Sequence, residues 1–424
     1  MTSRIHALRG GTLTFKADPF LVGPAEAFSH ETDGLVVIRD GVIEAVGPAA
    51  EMLARYPGVA VDHYPGHLLM AGFVDAHAHY PQTTIIASYG AQLFEWLNKY
   101  TFPAELAFAD AAHAARMADL YLDECLRNGT TTASVYCTVH PVSVDVFFAA
   151  AERRGMRMIA GKVMMDRNAP PGLLDTAHSA YDESKALIGK WHKRGRLGYA
   201  ISPRFAPTST QAQLEAAGAL WAEHPDTLLQ THYAENVREV AWVRELFPDA
   251  LDYLDVYDRA GLLGPGANLG HAVHLSDRER ARLRESGAGL SHCPTSNAFI
   301  GSGLFDLAGL AAAPSSIPIG LATDVGGGSS FSMLQTMRSA YEIAQLRGRS
   351  LHPVEAFYLA TLGSARVLRL DRSIGNLAAG FEADIVVIDP RSRPLIAERV
   401  ACAGSIADVL FAQMILADDR AIKS

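Results

Sequence analysis

The sequence predicts an α/β protein: a parallel, TIM-like (β/α)8 barrel that carries a small composite β-sandwich built from both ends of the chain. Three observations predict it. Short apolar runs alternate with longer stretches of helical spacing over roughly 300 residues. The two ends of the chain are β-rich instead. Metal-ligating side chains recur just past several of the apolar runs, where a barrel of this kind places its chemistry. The expected boundaries are residues 1–68 and 371–424 for the sandwich and 69–370 for the barrel.

At the N-terminal end, residues 35–47 form two β-branched runs around Asp40-Gly41, a hairpin signature. At the C-terminal end, residues 375–389 place a glycine turn before Ile385-Val-Val-Ile388. These two segments are expected to meet in one small β domain. Between them, strands are read at 68–74, 130–135, 158–164, 197–201, 228–232 and 317–323, with helices over Asp110–Asn128 and Ser209–His224. A doubly wound open sheet is the rival arrangement, and the absence of a GxGxxG loop after the first strand counts against it. No internal repeat or low-complexity segment interrupts the pattern.

Composition narrows the classes. The chain has 424 residues, 49% of them hydrophobic and 20% charged, and 37 basic against 46 acidic residues leave a net charge of −9. That balance is of a globular protein with no basic face for nucleic acid or anionic lipid. The first residues, MTSRIHALRGGTLTF, lack the apolar core of a secretory leader, and no run is long and apolar enough to span a membrane. None of Cys125, Cys137, Cys293 and Cys402 sits in a CxxC pair, so reduced thiols in a cytoplasmic protein are expected.

The chemistry is expected at the ends of the strands. His77 and His79 form an HxH pair, and side chains two apart on a strand share a face. His232 ends the run at 228–231 and is followed by Glu235. His271 ends Ala267-Asn-Leu-Gly270, and Asp324 precedes the glycines at 326–328. Four imidazoles and a carboxylate converging on one mouth are what a hydrolytic metal needs, with one position left for water.

These residues, together with HYPQ (79–82), EWLNKYTFPAE (95–105), GKVMMDRN (161–168), PRFAPT (203–208), SHCPTSN (291–297) and TDVGGG (323–328), resemble the amidohydrolase superfamily and, within it, the guanine deaminases. The resemblance runs from about residue 35 to 415. HxH is shared by many amidohydrolases, whereas the 95–105 and 203–208 segments are much more specific. The resemblance implies one zinc ion per subunit held by His77, His79, His232 and Asp324, with His271 touching the water on the metal. Glu235 is then the proton shuttle, and His271 and Asp324 are its catalytic partners. Family members carry a further strand after the segment matching 415–420, so the sandwich is expected to lack one edge strand, or the chain to be a shortened version.

Substrate binding is assigned to Gln82, Arg204 and Phe205, alongside His232, Glu235 and Asp324. Arg204 has a planar donor fork suited to the O6/N7 edge of guanine, Phe205 can stack on the ring, and Gln82 offers both donor and acceptor atoms. The expected reaction is guanine plus water to xanthine plus ammonia, a step of purine catabolism or salvage. Expected partners are guanine and a second copy of the chain in a homodimer, without nucleic acid or membrane. An amidohydrolase acting on another ring amine or halide, and a non-catalytic scaffold, are the alternatives.

Several other residues are read as bystanders. Lys162 is a structural ion pair or a surface lysine, His274 a structural or supporting residue, and Cys293 a packed thiol. His292 either hydrogen-bonds near the water or fills the next strand end. Trp96 either lines the pocket or anchors a helix. His140, His178, His192, His224 and His352 are read as surface or helix residues. The other zinc-deaminase class needs P-C-x-x-C, which Pro294 and a lone Cys293 do not provide.

Overall fold

The computed structural model describes residues 5–90, 92–311 and 317–423, so the outermost residues of the expected sandwich spans, 1–4 and 424, lie outside the described residues. The strands in chain order are β1 (Ile5–Phe15), β2 (Phe28–Arg39), β3 (Val42–Pro48), β4 (Val61–Ala71), β5 (Phe73–His79), β6 (Thr130–Tyr136), β7 (Arg157–Gly161), β8 (Val163–Met164), β9 (Gly198–Pro203), β10 (Leu228–Tyr233), β11 (Ala267–His271), β12 (Gly289–His292), β13 (Ile319–Leu321), β14 (Ile385–Ile388) and β15 (Ile422–Lys423).

They form two sheets. The small one has the order β15-β14-β4-β1-β2-β3 and so joins both ends of the chain. The hairpin turn falls at Asp40-Gly41, both at positive φ, as a tight two-residue turn requires. Apolar residues back both faces of this sheet: Val36, Ile38, Leu69 and Val387 on one, Ala7, Leu35 and Val37 on the other, where the short helix Ala49–Arg55 covers them. Within the C-terminal span, however, the helix Ile406–Leu416 leaves the sheet and packs on the barrel helices Met333–Leu346 and Pro353–Tyr358.

The second sheet runs β13-β12-β11-β10-β9-β7-β6-β5, all parallel, with β8 continuing β7 alongside β9. Helices follow most strands. Ala111–Arg127 starts at Asp110, whose carboxylate accepts from the N–H groups of Ala112 and His113, and ends at Asn128. The apolar core lies between strands and helices, with Phe147, Phe148, Tyr199, Leu214 and Leu229 all buried. Inside the barrel the packing is partly polar. Gln230 is fully buried, accepts from Ser134 and donates to Ser202, while Asn268 and Ser291 both donate to the carbonyl of Ala76.

Two segments read as single strands are each divided. The 68–74 run belongs to both sheets and breaks at Gly72, whose N–H is taken by Asp384; a Cβ there would stand 2.3 Å from Thr131 Oγ1. Periodicity could not show the break, because both halves are buried on both faces. The 158–164 run breaks at Lys162, which is not a surface residue. Its side chain is fully buried and pairs with Asp175 and, at 3.3 Å, with Glu183.

Removing one partner of a buried pair leaves an uncompensated charge, at a cost of about 3–5 kcal/mol. Lys162→Met is therefore expected to lower the denaturant midpoint sharply. An unchanged midpoint would show that Asp175 is held by its bond from Gln213 alone.

Candidate active site

The barrel closes where its first strand meets its last. Asp324 N–H donates to the carbonyl of His77 (2.9 Å), His79 N–H donates to the carbonyl of Val325 (2.7 Å), and the buried carboxylate of Asp75 accepts from both the N–H and the hydroxyl of Thr323. This seam brings the HxH strand and Asp324 together. Around it, the backbone at the strand ends is left-handed at Ala234, His271, Ala272 and Asp324, with φ between 47° and 71°. L-residues adopt such angles only where the surrounding structure enforces them, and functional sites are where they gather.

His77, His79, His232 and Asp324 present one ligand atom each within 4.8 Å of one another. His79 Nε2 and His232 Nε2 are 3.0 Å apart, and Asp324 Oδ1 lies 3.4 Å from His77 Nε2 and 3.3 Å from His79 Nε2. The orientation of His232 is fixed from behind. Its Nδ1 is 2.7 Å from the carbonyl oxygen of Arg204, which can only accept, so Nδ1 carries the proton and Nε2 turns a lone pair into the cluster. Gly270 makes room for the ring of His77, since a Cβ there would lie 2.6 Å from it.

Two features of this cluster fit a bound cation. Both ring nitrogens of His77, Nδ1 of His79 and Nε2 of His271 are buried without a hydrogen-bond partner among the described residues, a costly state unless something else satisfies them. Burial also favours the neutral, ligating form of imidazole, pushing His77 down, His232 well down and His79 to about 3. Asp324 is pulled the other way. Burial raises it, yet the imidazoles of His77, His79 and His271 crowded around it hold its carboxyl well below the usual range. A second possible group, His77, His271, Cys293 and Asp324, shares two of these residues. Burial pushes the Cys293 thiol well above its ordinary value, so Cys293 remains a packed thiol and a poor ligand.

Beside the cluster, His271 Nδ1 lies 2.9 Å from Asn297 Oδ1, and its Nε2 faces Glu235 Oε2 at 3.6 Å and Asp324 Oδ2 at 3.8 Å. Glu235 accepts from Ser302 Oγ at 2.8 Å. Burial, then the nearby charge of Asp324, raises its carboxyl from 4.5 to about 8. The backbone N–H groups of Glu235 and Asn236 are both held by Glu239. All nine residues expected at the site are thus brought together: His77 at the back, and His79, Gln82, Arg204, Phe205, His232, Glu235, His271 and Asp324 around one cavity.

A helix lines one wall of the cavity. A π-helical turn at Leu97–Thr101 interrupts the helix that runs from Leu93 to Leu106, and Leu93, Trp96, Leu97 and Thr101 line the pocket. Trp96 both lines the pocket and packs on Tyr100 and Phe299. His292 stacks on Phe305 and fills the next strand end. His274 sits beyond the end of β11, in the loop where strand alternation no longer applies, and its Nε2 contacts the carbonyl of Ser302. Sequence reasoning missed Ser302, Asn297 and Glu105. Two of these lie inside or at the edge of the quoted segments, Glu105 as the last residue of 95–105 and Asn297 of 291–297, but no spacing rule gives them a partner.

A cluster of imidazoles and a carboxylate at the C-terminal mouth of a parallel barrel, with a raised carboxyl beside it, defines a barrel hydrolase. Residues 68–416 match the model of the Amidohydrolase family, and the chain belongs to that family. Residues 36–58 match the Imidazolonepropionase-like composite domain of bacteria. Within the family the chain is similar to the guanine deaminase of Escherichia coli K12, with 50% identity over 399 residues, 94% of this chain and 90% of that protein. The solved E. coli guanine deaminase matches with a TM-score of 0.96 and 48% identity over 98% of this chain and 96% of that one. The guanine deaminase of C. acetobutylicum, solved with guanine bound in its active site, matches with a TM-score of 0.88 and 25% identity over 99% and 97%. No helix among the described residues is long and apolar enough to cross a membrane.

The raised carboxyl of Glu235 has a consequence for stability. Its folded value, about 8, exceeds the unfolded 4.5, so its contribution is fully present below pH 4.5 and is lost as pH rises towards 8. In chelator-treated protein, Glu235→Gln should match wild type near pH 4.5 and become progressively more stable than it up to pH 8. Urea midpoints across that range check this, and a pH-independent difference would contradict the raised value.

Proposed function

We propose that the chain catalyses the hydrolytic deamination of guanine to xanthine and ammonia, with one zinc ion held by His77, His79, His232 and Asp324. One observation carries the reading: a buried carboxyl raised into the neutral range, Glu235, lines the same cavity as this metal-ligating cluster and the side chains of Arg204 and Gln82. Three imidazoles and a carboxylate are a donor set that suits zinc. When bound, zinc would acidify a coordinated water so that hydroxide is available near neutral pH.

The chain's own residues supply the rest. Glu235 moves one proton of the attacking water to the ring nitrogen beside C2 and then the second, from the hydroxyl formed at C2, to the departing amine. A carboxyl titrating near neutrality can serve in both directions. His271, fixed by Asn297, and Asp324 orient the attacking oxygen. Phe205 packs against the purine, and Arg204 donates to its oxygen-bearing edge. Adenine fails on both counts, having a donor at C6 where Arg204 also donates and no 2-amino group to expel. The enzyme in this reading is cytoplasmic and homodimeric. Its cysteines are all unpaired, as in a reducing compartment, and closed homodimers are the commonest assembly of such proteins.

Incubation with guanine should release ammonia with the guanine-to-xanthine spectral change, and a chelator should abolish it until zinc is restored. Undiminished activity in rigorously metal-free protein, or no ammonia from the zinc-loaded one, would sink the reading. Among variants, His77→Ala should lose metal. His271→Ala should keep most of it and lose turnover, and Glu235→Gln should keep it while kcat falls by at least ~100-fold.

A further inference from the structure

Glu105 is fully buried and touches neither the metal-ligating cluster nor the general acid, yet two residues of the opposite wall converge on it. Arg204 Nη1 lies 2.9 Å from Oε1 and 2.8 Å from Oε2 of Glu105, and Gln82 Nε2 donates to Oε1 at 3.2 Å. Glu105 stands on the helix Phe102–Leu106, directly after the π-helical turn that lines the cavity. π-turns of this kind recur where a helix must aim side chains at a functional site.

We propose that Glu105 is a positioning residue that sets the donor–acceptor polarity of the substrate pocket. The proposal rests on the guanine reading above and deepens it. A carboxylate paired with arginine only accepts hydrogen bonds. It therefore obliges Gln82 to turn its NH2 group towards Glu105, and the amide oxygen is left as the atom Gln82 offers the cavity. The same carboxylate engages only Nη1 of Arg204, and among the described residues no hydrogen bond takes the remaining N–H groups of that guanidinium. The wall thus offers an acceptor beside a donor. A cyclic lactam presents the complement: its ring N–H meets the acceptor and its carbonyl oxygen meets the donor. Guanine has this N1–H/O6 edge. Its analogue 2,6-diaminopurine keeps the 2-amino group that would be expelled but presents the inverse edge, a bare N1 and a 6-amino donor. It should be mismatched at both positions even though its reacting carbon is equally placed.

Replacing Glu105 by glutamine tests the polarity directly. With the new amide oxygen in the Oε2 position, at the shorter 2.8 Å contact with Arg204, its NH2 takes the Oε1 position and faces Gln82. Gln82 then has to accept, and its own NH2 swings into the cavity. The measurement is kcat/KM by ammonia release for guanine and 2,6-diaminopurine, with zinc content and circular dichroism as controls. Wild type should favour guanine by at least ~100-fold. Glu105→Gln should shrink that ratio at least ~10-fold at unchanged zinc content, with most of the guanine loss in KM. Glu105→Asp keeps the acceptor polarity with a shorter reach; it should weaken guanine binding and preserve the ratio, and it serves if the glutamine variant does not fold. An unchanged ratio in zinc-loaded Glu105→Gln, or a collapsed ratio in Glu105→Asp, would overturn the proposal. Absence of guanine turnover in wild type would instead defeat the functional reading itself, and the two failures are separate readouts.

Discussion

Everything at the mouth of this barrel depends on how the first strand is fastened to the last. β5 and β13 share no extended ladder. They are joined by two main-chain hydrogen bonds and by the carboxylate of Asp75 gripping Thr323. Asp75 is wholly buried, and although burial raises its carboxyl to about 6, the bonds from Thr323 and His77 act against that. Because the donors and acceptors of the seam are the main-chain groups of His77, His79, Thr323, Asp324 and Val325, barrel closure and cluster assembly are one event. The ring positions then need only local help, which comes from the missing side chain of Gly270 and the carbonyl of Arg204.

The same economy links the two walls of the cavity. Arg204 uses its backbone carbonyl to orient His232 and its side chain to face the opposite wall. The tautomer of a cluster histidine and the placement of a guanidinium in the pocket wall are therefore both set through one residue. On the other side, Glu239 holds the N–H groups on which Glu235 sits, and Ser302 holds its carboxyl. Neither reaches the cavity, yet both decide where Glu235 points.

Much of this was legible in the sequence. The HxH pair, His232, His271 and Asp324 follow apolar runs at the right places, and a period of two is enough to put His77 and His79 on one face. Arg204 and Phe205 stood out through their segment. The rest was not legible because it depends on pairings across the fold. Lys162 read as an ion pair or a surface residue, and its burial follows from Asp175 and Glu183, whose approach no local pattern encodes. The break at Gly72 separates two strand ends, residues 68–71 and 73–74, that are both buried throughout, so hydropathy is continuous through it. Glu105 is only the last residue of the quoted 95–105 segment, and the meeting of Arg204 and Gln82 gives it a purpose.

The small sheet has a consequence for how the molecule is made. β4 pairs with β1 on one side and with β14 on the other, and the entire barrel lies between β4 and β14 in the chain. During synthesis β1 to β4 leave the ribosome before the barrel and wait with one edge of β4 bare until β14 emerges after it. An unpaired edge of Leu68, Leu69 and Met70 is sticky towards other nascent chains. Translation speed through the barrel, and shelter for that edge in the meantime, therefore bear on the yield of folded protein.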